Sequence, residues 1–222
     1  MLSNRRQMRA RQLVFLALSS ACLLAGSAGV RAQAPDESAV LAQVKGTVYV
    51  RPLQTVEAGG YRRCGFEFLL IGSEPATGRA LQLKAEFFAS ALVSGKRDGV
   101  YGWSGVVFEG LQAGAPARPA GRISYQPVNG MRVDPLPASA TPGGDRIEYQ
   151  APIGPDFQVL LASIVRDRGL KVAYSRTADS ALIETTLDMD VASMELVKGK
   201  AVREFDSRVP LAMSRCWSPG QG

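Results

Sequence analysis

From Leu81 to Val93 small or apolar side chains fall on every second position, Leu81, Leu83, Ala85, Phe87, Ala89, Ala91 and Val93, while Gln82, Lys84, Glu86, Ser90 and Ser94 take positions between them. Successive side chains of an extended chain point to opposite faces, so this pattern calls for a long strand with one face in a core and the other toward water. Such a strand needs partners on its edges and a second layer on its apolar face.

The flanking sequence supplies partners. Val44, Gly46, Val48 and Val50 alternate with Lys45, Thr47, Tyr49 and Arg51, and beyond Gly59-Gly60 the residues Cys64, Phe66, Phe68 and Leu70 point one way. The segment from Gly95 to Gly99 has the length and glycines of a hairpin loop. A return strand from Val100 to Leu111 then places Tyr101, Trp103, Val107 and Leu111 on one face, and its Gly102 and Gly105 imply a bulge or a close backbone approach.

The second half is more broken. Residues 113–144 carry Pro116, Pro119, Pro127, Pro135, Pro137 and Pro142, which deny ladder donors, so this reads as an irregular connection with one short strand near Ile123 to Tyr125. A short strand follows at Arg146 to Ala151. Between Asp156 and Arg168, Phe157, Leu160, Leu161, Ile164 and Val165 fit a helix with Asp156 as N-cap and Gly169 as its stop, although the same residues also alternate tolerably as a strand. Leu170 to Ser175 and Leu182 to Val191 form a hairpin across Thr177-Ala178-Asp179, with Ile183, Thr185, Leu187, Met189 and Val191 on one face. Residues 35–40 read as a frayed leader, and 193–217 has apolar residues at mixed spacing. The sum is a mainly β chain, an antiparallel β-sandwich or α+β domain with one or two short helices.

The first residues have a different character. Arg5, Arg6, Arg9 and Arg11 precede an apolar run from Leu13 to Leu24 and the small residues Ala25 to Gly29, the order of a secretory signal peptide. Small residues at Val30-Arg31-Ala32 allow cleavage after Ala32. The run is shorter than the roughly 20 apolar residues of a membrane span, and Leu23-Leu24 continue it past Cys22, unlike a lipid-attachment site. The expected organisation is therefore a signal peptide, 1–32, and one β-rich periplasmic or secreted domain, 33–222, with no integral membrane insertion after cleavage.

Charge then reads differently. The whole chain has a net charge of +6 from 26 basic and 20 acidic residues, but five arginines and no acid lie in residues 1–32, leaving 21 against 20 and a net charge of +1. That removes the basis for a nucleic-acid partner. Cys64 and Cys216 remain after processing, and an oxidising compartment makes a disulfide between them the expected state. The rival is a reactive thiol at Cys64, favoured by Arg62 and Arg63.

There is no histidine, which excludes Ser-His-acid and Cys-His catalysis and His-bound zinc, copper or haem. A phosphate loop fails at Gly95-Lys96, where Ser90 and Arg97 stand in place of the required glycine and hydroxyl, and no Ser-x-x-Lys occurs. No metal or cofactor is expected. The acids Asp188 and Asp190, read as neighbours on one strand face about 7 Å apart, with Glu184 further along, are the catalytic candidates for a carboxylate-dependent hydrolase acting on an envelope glycan; their plainer role is the polar face of an amphipathic strand. Tyr101 and Trp103 are candidates for a ligand platform, with core packing as the alternative. The leading functional expectation is a non-enzymatic binding or structural module of the bacterial cell envelope with a protein or glycan partner; a small outer-membrane barrel is a further alternative.

Overall fold

The computed structural model describes residues 37–57, 61–92, 99–112, 114–131, 133, 139–140 and 146–217, all within the second of two units, Pro35–Gly222. The strands β1 (Gly46–Glu57), β2 (Tyr61–Ser73), β3 (Ala80–Leu92) and β4 (Val100–Glu109) pair in succession as antiparallel neighbours. The two-residue β5 (Arg118–Pro119) pairs β4, and the sheet continues from β4 through β8 (Ile147–Pro152) to β7 (Ser139–Ala140). A second sheet has the order β10 (Ile183–Asp188), β9 (Gly169–Ser175), β6 (Arg122–Pro127). A third, of β11 (Val191–Val197) and β12 (Lys200–Phe205), is a two-stranded ribbon. The helices are α1 (Glu37–Val44), α2 (Pro155–Val165) and α3 (Arg208–Trp217), one more than expected.

The alternation works as physics requires. Phe66, Phe68 and Leu70 of β2, Leu83, Ala85 and Phe87 of β3, and Tyr101, Trp103 and Val107 of β4 are all buried in one core, which Ile123, Tyr125, Val172, Tyr174 and Leu187 of the second sheet share. Phe157, Leu160 and Ile164 of α2 and Val209 and Met213 of α3 complete it. Burying each large side chain contributes about 1.5–3 kcal/mol. The two glycines of β4 are there for close approach: a Cβ on Gly105 would stand 2.6 Å from Ile123 Cδ1, and one on Gly102 would strike the Tyr149 carbonyl.

The large sheet is open, bounded by β1 and β7. A barrel needs its first and last strands to pair, so the outer-membrane barrel reading is corrected. No helix among the described residues is long and apolar enough to cross a membrane.

Four local readings also change. Residues 37–44, part of the supposed leader, form α1, which places Leu41 and Val44 on Ile71 and Ala80, with Val48, Leu111 and Met194 joining them in a small second core. The β1 alternation is interrupted by a register shift between Thr47 and Tyr49; a bulge adds a residue and reverses the faces, so Thr47 is buried, accepts from the Asp188 N–H (2.9 Å) and donates to Thr186 O. Helix α2 is capped at Gly154 with Pro155 following, not at Asp156, and the positive φ after it falls on Arg168 (+56°), not Gly169. Finally, the strand drawn from Leu182 to Val191 stops at Asp188, and Met189 and Asp190 turn the chain into β11. The β3–β4 hairpin loop and the Gly59-Gly60 turn fall largely outside the described residues, although the strands they join pair as expected.

Candidate functional site

Because β10 ends at Asp188, Asp188 and Asp190 do not lie side by side on a strand face. Asp188 Oδ1 accepts the Asp190 backbone N–H at 3.0 Å, an ordinary turn bond. The Asp190 carboxylate is gripped in bidentate fashion by Arg168, whose Nε and Nη2 donate at 2.6 Å each; Nη2 also donates to Ser207 Oγ. Met189 N–H bonds Arg168 O, and Asp206 N–H bonds Asp190 O at 2.7 Å. Three chain reversals, α2 to β9, β10 to β11 and β12 to α3, are thus tied through one ion pair. Bidentate guanidinium–carboxylate pairs are geometrically demanding, which explains why Arg168 is held in the left-handed region that side chains normally avoid. The Arg168 pair, led by its hydrogen bond to Asp190, pushes the guanidinium pKa upward. Glu184 is exposed on β10 and takes no part.

The aromatic pair is corrected more sharply. Trp103 stacks on Tyr125 with 3.2 Å between ring centroids and lies 4.2 Å from Phe87; Tyr101 packs on Phe157 at 5.4 Å. Both rings are buried, so neither offers an open platform. They fill the core because an inward strand face needs the area that aromatic rings bring. The Tyr125 hydroxyl has no hydrogen-bond partner among the described residues, and burial raises its pKa well above the ordinary value.

Cys64 on β2 and Cys216 on α3 form a disulfide, with Cα atoms 6.4 Å apart, fastening the last helix to the large sheet. Beside it Phe157 meets Trp217 edge-on at 5.0 Å. On the opposite face of that sheet Arg51 lies over the Tyr49 ring (4.5 Å) and Arg63 over the Phe88 ring (4.1 Å), each also within 3.9 Å of a glutamate, Glu67 and Glu86. Burial first, then the Glu67 charge, raises the Tyr49 pKa to about 12. Glu74 is buried and held below the usual carboxylate range, chiefly by the Thr77 hydroxyl bond and then by Arg176. Among the described residues no three acids or thiols cluster to hold a metal.

What the sequence did not indicate is the ribbon. Leu196 (46%), Val197 (48%), Val202 (49%) and Phe205 (64%) are large apolar residues left in solvent on β11 and β12. The ribbon packs beside β1, held by buried Val191 and by Met194 in the second core, and Arg203 of β12 donates to the carbonyls of Thr47 (3.1 Å) and Lys45 (2.9 Å). The available signal was Val197-Lys198-Gly199-Lys200, a two-residue hairpin turn ending in glycine between apolar runs. No protein-family model, no curated protein and no solved structure matches the chain.

Proposed function

We propose that this chain is a non-enzymatic binding or structural module of the bacterial cell envelope, exported by its N-terminal signal and acting through contact with a protein partner. The observation that carries the reading is the contrast in side-chain use. Asp188 and Asp190 serve as turn and ion-pair ligands, whereas four of the seven large apolar residues exposed among the described residues, Leu196, Val197, Val202 and Phe205, lie on β11 and β12. Large apolar residues left exposed on one element favour a contact site, and a two-stranded ribbon gains stability when something pairs with it. The disulfide fits an oxidising compartment.

The test places a photo-activatable cross-linker at Phe205 in living cells, with Lys171, exposed on β9, as the control position. A discrete adduct at 205 and none at 171 supports the reading; equal labelling or none at both overturns it. Intact mass of the same material should begin at Gln33 with both cysteines oxidised, and a retained Met1 with free thiols would refute export.

A further inference from the structure

The backbone of the ribbon limits what can sit beside it. Lys198 and Gly199 both have positive φ, 51° and 78°, and join Val197 to Lys200, which are cross-strand partners. This is a two-residue hairpin turn, in which the N–H of Lys200 bonds back to the carbonyl of Val197. Along β12 the direction of backbone groups alternates, so Lys200, Val202 and Glu204 address β11, while Ala201, Arg203 and Phe205 present N–H and C=O groups to the outer edge. Among the described residues no backbone hydrogen bond from Lys200–Phe205 runs beyond the ribbon.

Resting on the reading of this ribbon as the contact surface, we propose that its occupant is a second copy of the chain: β12 pairs antiparallel with β12 of another molecule about a two-fold axis through Val202, giving a four-stranded sheet in the order β11, β12, β12, β11. The register follows from two conditions. Residues with outward backbone groups must face one another, which rules out full end-to-end overlap, since that would set Ala201 opposite Glu204. Of the registers left, one places Arg203 opposite its own copy, and like charges directly opposed are destabilising. Another sets Lys200 opposite Val202 and Ala201 on the axis, pairing only three residues a side. The register centred on Glu204 also pairs only three residues a side and opposes that carboxylate to its own copy, whereas the one centred on Val202 sets Ala201 opposite Arg203, Val202 opposite Val202, and Lys200 opposite Glu204 twice over. The last contacts are self-complementary in charge, as an isologous two-fold interface requires, and place exposed Val202 at the centre.

Sedimentation equilibrium on the purified, oxidised protein reads this directly. Wild type should show a monomer–dimer equilibrium. Lys200→Glu alone and Glu204→Lys alone each turn two attractive pairs into two repulsive ones, and each should weaken self-association about tenfold or more. An equimolar mixture of the two variants restores opposite charges at both positions and should associate as strongly as wild type, as should the K200E/E204K double variant. Recovery on mixing also shows that the single variants are folded. A wild type that stays monomeric, or single variants that associate like wild type, would overturn the proposal. So would a mixture that fails to recover. If the cross-link at 205 carries a different protein while the purified chain is monomeric, the dimer falls and the contact function stands.

Discussion

The inner face of the large sheet and the β11–β12 ribbon are built from similar residues and put them to opposite use. On β2, β3 and β4 every inward phenylalanine, tyrosine and tryptophan is buried, with Phe87 within 6.4 Å (ring centroid to centroid) of Phe66, Tyr101, Trp103 and Phe157. On the ribbon Phe205, Val202 and Leu196 are residues of the same apolar kind and face water. Apolar residues on a strand do not by themselves fix its burial, because the partner that covers them is decided elsewhere in the chain. A segment whose apolar residues are not consumed by its own fold has them available for another molecule.

The comparison breaks most readily at its core. Phe87→Ala should cost about 3–5 kcal/mol in a denaturant titration, whereas Phe205→Ala should shift the monomer by less than about 0.5 kcal/mol; similar losses would mean the ribbon belongs to the core after all. Next in size is the disulfide. The C64S/C216S pair opens a loop spanning 152 positions and should lower stability by about 2–4 kcal/mol, with α3 losing hydrogen-exchange protection before the large sheet does.

A smaller effect separates the ion pair at the three reversals from its backbone strain. Arg168→Ala should lower the denaturation midpoint by losing the Asp190 pair, and Arg168→Gly should regain part of that loss because glycine accepts the positive φ. Equal stability of the two would deny any strain at position 168.

The mildest perturbation is pH. Tyr49 keeps its neutral form in the fold, with its pKa raised from 10.0 to about 12, so its contribution is complete below 10 and lost as pH climbs toward 12. Glu74 runs the other way: its lowered pKa gives stability above the ordinary value of 4.5 that disappears on acidification. Thermal melts of Tyr49→Phe and Glu74→Gln should flatten the alkaline and acid limbs respectively, and unchanged limbs would exclude these groups.

Much of this architecture could be read from residue patterns, and the failures have physical causes. The inward faces of β2, β3 and β4 were legible because a buried face leaves a period of two. Thr47 was misplaced because a bulge is invisible to periodicity: one added residue reversed the faces, and a hydroxyl went inward to bond β10. The positive φ after α2 was assigned to Gly169 but is carried by Arg168, which Asp190 restrains, a long-range effect that local residue preference does not contain. Asp188 and Asp190 looked like a catalytic pair only while β10 was drawn three residues too long. Tyr101 and Trp103 have the same composition as a ligand platform, and depth alone distinguishes the two uses. The ribbon was missed because its apolar residues lack the clean alternation that burial on one face imposes.

One covalent feature also sets an order of events. Cys216 lies on α3 and its partner on the second strand, so the bond closes only once the chain has been made through Cys216, 152 positions beyond Cys64. Until then the Cys64 sulfur lacks this mate, and oxidation between the two reports that the chain has been made through α3.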